Sequence, residues 1–135
     1  VFQPLSDEML DDPEFGYSDS LSYAEVHNLV TKARREIIVL GQVLPHPINR
    51  GYQMWGGETV RLVNGVVPRD LTHLASILDR AKGPWVRFVT GDGYVITMDL
   101  EAARRANPEI RVDYGIPEDR YLGPGTSEST ARRRR

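Results

Sequence analysis

The run Glu58-Thr-Val-Arg-Leu-Val-Asn-Gly-Val-Val-Pro-Arg-Asp-Leu-Thr-His-Leu-Ala-Ser-Ile-Leu-Asp-Arg-Ala81 encodes a strand, a tight turn and a helix in succession. Residues 58–63 are apolar and β-branched enough for a strand. Asn64-Gly65 between apolar stretches is the pair a type I′ turn selects, because both of its central residues take positive φ. Val66-Val67 returns as a short partner, and Pro68 ends it by withholding a ladder donor. Asp70 stands where a carboxylate caps a helix over residues 71–81, which Lys82-Gly83-Pro84 then stops.

That helix is apolar around much of its circumference. Leu74, Ile77 and Ala81 form one line at spacings of three and four, and Leu71, Ala75 and Leu78 form a second line rotated about the axis. A single core-facing stripe needs a narrower set. Either the helix is wholly buried, or its second line walls an apolar groove. Residues 1–5, Val-Phe-Gln-Pro-Leu, have strand-like composition, and Pro4 confines that strand to a sheet edge or a strand end. An extended peptide laid between such an edge and the helix would be held by strand addition, with side-chain pockets selecting it.

The flanks complete an α+β pattern. Residues 6–20 are acidic and carry Pro13 and Gly16, as a surface excursion does. An amphipathic helix follows over residues 23–36, with Ser22 and Glu25 at capping-box spacing. Residues 36–44 form the strongest strand signal, and residues 45–52 a loop with one helical turn. Strands at residues 85–90 and 94–98 flank Gly91-Asp92-Gly93 as a second hairpin. Asp99 caps a helix through Ala106, before Asn107-Pro108 breaks it. Residues 115–135 are turn-rich. The expected fold is a small, mostly antiparallel sheet with two to three helices.

Composition narrows the function. The 135 residues fit one domain, and a net charge of −2 gives no global field for nucleic acid. With Cys 0, thiolate chemistry and disulfides are excluded. No apolar run reaches the roughly 20 residues of a membrane span. The opening at Val1 has neither a charged nor an apolar leader region, and reads as a cut inside a longer protein or a processed end. Neither a bacterial envelope or periplasm nor a cytoplasm is favoured. The four arginines at residues 132–135 form a basic tail on a mildly acidic chain, a solvated end.

Catalytic patterns are missing. No serine lies in a nucleophile-elbow context. His27, His46 and His73 share no ligand spacing. The pairs Asp11-Asp12 and Glu118-Asp119 lie in polar settings, and Gly56-Gly57 and Gly91-Asp92-Gly93 fit turns rather than phosphate cradles. No cofactor or metal is called for.

Residues 58–81 resemble the core signature of the PDZ domains of HtrA/Deg-type serine proteases: apolar strand, Asn-Gly, short strand, capped leucine helix, then two more strands. Residues 36–52 resemble the preceding strand and short helical turn, here Pro47-Ile-Asn-Arg-Gly51. Residues 1–5 resemble the ligand-pairing strand that follows the family's carboxylate-binding loop, a loop this chain lacks ahead of Val1. The closing stretch, with Asn107-Pro-Glu-Ile110 and Tyr114-Gly-Ile-Pro117, is similar to the second PDZ domain of plant-type and related bacterial Deg proteases. Residues 6–35 look like an insertion of that subgroup.

The resemblance implies a PDZ-like α+β fold over residues 1–120, a small, mostly antiparallel β-sandwich or partly open barrel, with a flexible basic tail over 121–135 and no catalytic role for the fragment. It implies a peptide groove lined by Val1, Phe2, Gln3, Leu5, Leu71, Ala75 and Leu78. Its partners would be peptide or protein segments, or the protease domain and other protomers of a homo-oligomer. Tyr52, Met54 and Trp55 are candidates for such an interface, since aromatic residues are common anchors. They are equally candidates for a loop packed on its own core. Two other readings stand beside this one. One is a small enzyme whose site forms only on folding; the other is an assembly domain whose groove is filled by its own residues 6–23.

Overall fold

A computed structural model describes residues 1–6, 35–52, 54 and 56–122. Among these, strands Phe2–Pro4 (β1), Ile38–Leu40 (β2), Glu58–Val63 (β3), Trp85–Thr90 (β4) and Val95–Asp99 (β5) form one sheet in the order β1-β2-β3-β4-β5. Every neighbouring pair is antiparallel. Helix Leu71–Arg80 (α1) joins β3 to β4, helix Leu100–Asp113 (α2) follows β5, and a 3-10 turn occupies Pro47–Asn49. This is the α+β class expected. The excursion at residues 6–20 and the helix at 23–36 lie outside the described residues, apart from Ser6, Arg35 and Glu36, none of them helical. The basic tail also lies outside them.

The core forms between the sheet's inner face and the two helices. Alternation decides which side chains enter it: Val86, Phe88 and Thr90 of β4 point inward, while Trp85 and Arg87 point to solvent. Ile38, Val60, Val63, Ile96, Leu74 of α1 and Leu100 of α2 join the same cluster. The Asn-Gly turn has the predicted form, with Asn64 at φ 48 and Gly65 at φ 79. Val63 and Val66 exchange backbone hydrogen bonds of 2.8 and 3.0 Å across it. Val66-Val67 adds only that bridge, and the partner of β3 is β4.

Two expectations are corrected. The strand predicted over residues 36–44 is realised as β2, three residues long, although backbone bonds from Leu5 to Ile37 and from Gly41 to Val1 extend its pairing with the first segment. The helix predicted to break at Asn107-Pro108 instead continues to Asp113 with Pro108 inside it. Proline withholds one donor and crowds the preceding turn, at a cost of about 3 kcal/mol. Tertiary packing offsets that cost: Ala106 is buried, Ile110 is half-buried, and the Tyr114 hydroxyl donates to the Pro45 carbonyl. The true stop is Gly115 at φ 63. Its N–H bonds to Val112 O and that of Ile116 to Arg111 O, the two bonds of a Schellman motif.

Candidate functional site

β1 is the last strand of the sheet, and α1 runs beside it. Two backbone bonds fix how β1 is turned. Leu5 donates to Ile37 O at 2.7 Å, and Gly41 donates to Val1 O at 2.9 Å. In an antiparallel ladder the residues facing the partner alternate, so residues 1, 3 and 5 turn their backbone groups toward β2. Phe2 and Pro4 turn theirs away from the sheet. The edge beside α1 therefore presents the Phe2 N–H and the carbonyls of Phe2 and Pro4.

Side chains hold this strand in place. The Phe2 ring stacks on Phe88, with centroids 5.2 Å apart and planes at 29°, an offset contact between aromatic rings. Gln3 is half-buried, and its amide lies so close to Gly41 that a Cβ there would meet Nε2 at 2.5 Å. Leu5 is half-buried and Val1 is exposed. On α1, Leu74 is buried, while Leu71, Ala75, Ile77 and Leu78 are half-buried. Leu71, Ile77, Leu78 and Ala81 all touch the core. The helix, which contacts β1, is therefore not wholly buried, and half-buried apolar side chains run along it.

Both ends of α1 are tied down. At its N-terminus, Asp70 Oδ1 accepts from the His73 N–H at 2.7 Å and Glu36 Oε2 from the Leu71 N–H at 3.0 Å. These carboxylates satisfy donors the helix itself leaves unpaired and complement its dipole. The His73 imidazole reaches back to accept from the Arg69 N–H at 3.0 Å, while Arg35 and Glu36 both donate to Arg69 O. At the C-terminus, Arg104 of α2 donates to the carbonyls of Leu78 and Ala81 at 2.7 and 3.1 Å. Arg120 grips Asp79, holding its carboxyl below the ordinary aspartate range by hydrogen bonding. Asp70→Ala should lower stability by about 1 kcal/mol, the usual worth of such a cap. Urea unfolding checks this, with a lower midpoint and an unchanged slope as the expected result.

Sequence reading identified Asp70 but missed Glu36, Arg104 and Arg120. Glu36 looked like the last residue of the preceding helix, whereas it caps a helix 35 residues further on. Nothing local to these three residues signals where they act.

The two described histidines each cap local structure. His73 is committed to the α1 cap. The Nδ1 of His46 accepts from the Ile48 N–H at 3.2 Å, capping the 3-10 turn. His27 lies outside the described residues. The Tyr52 hydroxyl donates to the Thr97 carbonyl at 3.1 Å, which fastens its loop to β5, at the far edge from β1. Met54 is 95% exposed, and Trp55 lies outside the described residues. An open depression lined by Lys82, Pro84, Asp99, Glu101 and Arg104 is polar and does not border β1. Among the described residues, no group of three or more His, Asp or Glu side chains gathers as a metal site, and no helix is long and apolar enough to cross a membrane.

One carboxylate is out of balance. Glu58 opens β3 opposite Leu40, and its Oε2 is buried without a hydrogen-bond partner among the described residues. Burial, and then the negative charge of Asp92, hold its pKa above the ordinary glutamate value. The folded protein therefore binds this proton more tightly than the unfolded chain. That contribution is complete below the ordinary value of 4.5 and is lost as pH rises through the raised folded value. Glu58→Gln should thus gain stability over the parent between about pH 4 and pH 7. Urea midpoints measured across that interval check it, and a constant difference would contradict it.

Comparison with known proteins places this geometry. A PDZ domain family model matches residues 1–122. Protease Do-like 2, chloroplastic, of Arabidopsis thaliana is 33% identical over 128 residues, covering 89% of this chain and 20% of that protein. Putative protease Do-like 3, mitochondrial, of the same plant is 28% identical over 117 residues, covering 87% of this chain and 20% of its own length. The chain thus spans about a fifth of the length of these relatives. An edge strand beside a capped apolar helix, with a family match running from the first residue through the end of the described structure, makes this chain a member of the PDZ domain family, related to the PDZ domains of Do-like proteases.

Proposed function

We propose that the domain is a non-catalytic recognition module of a Deg-like serine protease, and that it captures extended peptide segments by strand addition. The peptide lies between the outer edge of β1 and the half-buried face of α1, contacting Phe2, Leu71, Ala75 and Leu78, with Val1, Gln3 and Leu5 holding β1 in register. The observation that carries this reading is the outward turn of the Phe2 and Pro4 backbone groups on a strand that contacts a helix with half-buried apolar side chains along it. Main-chain bonds supply affinity in such a site and apolar pockets supply selection. Commitment of His46 and His73 to caps supports a role without catalysis.

A second reading, docking against the protease domain or other protomers of a homo-oligomer, draws on the 95% exposure of Met54, since methionine suits adaptable contact surfaces. Fluorescence polarisation with a labelled library of apolar C-terminal peptides separates the two. Saturable binding by some members supports recognition. Failure of every member to bind, together with oligomers that dissociate on Met54→Asp, supports docking.

A further inference from the structure

We infer that Pro4 sets the length of peptide that the β1 edge can pair with, so that the site selects a short extended segment. This inference rests on the peptide-binding reading above. Pro4 is paired in register with Ile38, and the bonds Leu5 to Ile37 and Gly41 to Val1 on either side place it among the residues whose backbone faces away from β2. An ordinary residue here would offer its N–H to a guest strand. Proline has none.

The consequence follows from ladder geometry. A guest lying antiparallel on this edge exchanges two hydrogen bonds with Phe2 through one of its residues. Its residue two positions nearer its own N-terminus gives its N–H to the Pro4 carbonyl and receives nothing for its own carbonyl. β1 itself ends at Pro4. Phe2 and Pro4 therefore supply three bonds between them, and guest residues beyond Pro4, further toward the guest's own N-terminus, gain no backbone pairing from β1. Selection falls on the few side chains opposite Phe2 and the α1 band. The same proline also discourages open-ended sheet growth at an exposed edge, a purely protective role that predicts no dependence on peptide length.

The test uses the whole chain and a nested series of synthetic peptides of about three to eight residues, built back from a common Leu-Val-Val C-terminus. With the natural chain, affinity should rise over the first residues and then stay level within about twofold. In Pro4→Ala the longer peptides should bind about 3- to 10-fold tighter, the range one restored hydrogen bond supports. Steadily rising affinity with the natural chain, or an unchanged length profile in Pro4→Ala, would overturn the inference.

If Pro4→Ala aggregates, N-methylation of the longest peptide, tested on the natural chain, decides the matter. Methylation at the residue opposite Phe2, or two positions nearer the peptide N-terminus, should weaken binding. Methylation further toward that end should not, and equal weakening there would overturn the inference. Absence of saturable binding at any length would instead sink the peptide-binding reading itself.

Discussion

Leu78→Asp is expected to weaken peptide binding at least about tenfold while the domain stays folded. Leu78 lies on the half-buried band of α1, where it touches the core without being enclosed by it. A guest that covers the rest of a leucine side chain gains roughly 1.5–3 kcal/mol at most, and about 1.4 kcal/mol is already tenfold in Kd. Aspartate removes that surface and sets a charge against an apolar guest. The fold should tolerate the change, because the Leu78 carbonyl remains held by Arg104 and Leu74 still fills the core. Isothermal titration alongside thermal melting separates the two effects. Unchanged affinity in a folded Leu78→Asp protein would remove α1 from the binding site.

Phe88→Ala should cost about 3–5 kcal/mol of stability, the range for emptying a buried aromatic site. Phe88 of β4 is 7% exposed within the core cluster, and it bears the Phe2 ring on one side. Domains of this size are stable by only about 5–15 kcal/mol, so the variant stands near the edge of unfolding. Its effect should reach β1, since that strand has three residues in the sheet and leans on Phe88 through Phe2. Phe88→Leu keeps most of the volume and should lose less. Denaturant unfolding of both variants measures this, and a loss below about 1 kcal/mol in Phe88→Ala would mean that the ring pair contributes little.

Much of this arrangement is legible in the amino-acid order because its signals are local. Asn64-Gly65 demands positive φ at both positions and obtains it. Asp70 and Asp99 cap the helices they precede, through His73 N–H and Ala102 N–H. Gly91-Asp92-Gly93 joins β4 to β5. The two apolar lines of α1 are less separate than their spacing suggests: Leu74 is buried, and Leu71 and Leu78 of the second line pack against the core beside Ile77 and Ala81 of the first. What the sequence conceals depends on distant partners. Pro108 looks like a helix break, yet Ala106, Ile110 and the Tyr114 hydroxyl hold the turn around it against the core and the Pro45 carbonyl. Glu36 caps α1 from 35 residues earlier in the chain, and Arg104 closes its other end from α2. No spacing rule brings these groups together, because only the folded sheet does.

Backbone amide NMR tests the groove residues most directly. Titration with a binding peptide should shift the amide of Phe2 first, because it is the one β1 donor facing the guest, together with the amides of Leu71, Ala75 and Leu78. Shifts gathered around Tyr52, Met54 and β5, with Phe2 and α1 unmoved, would contradict recognition by strand addition at this edge.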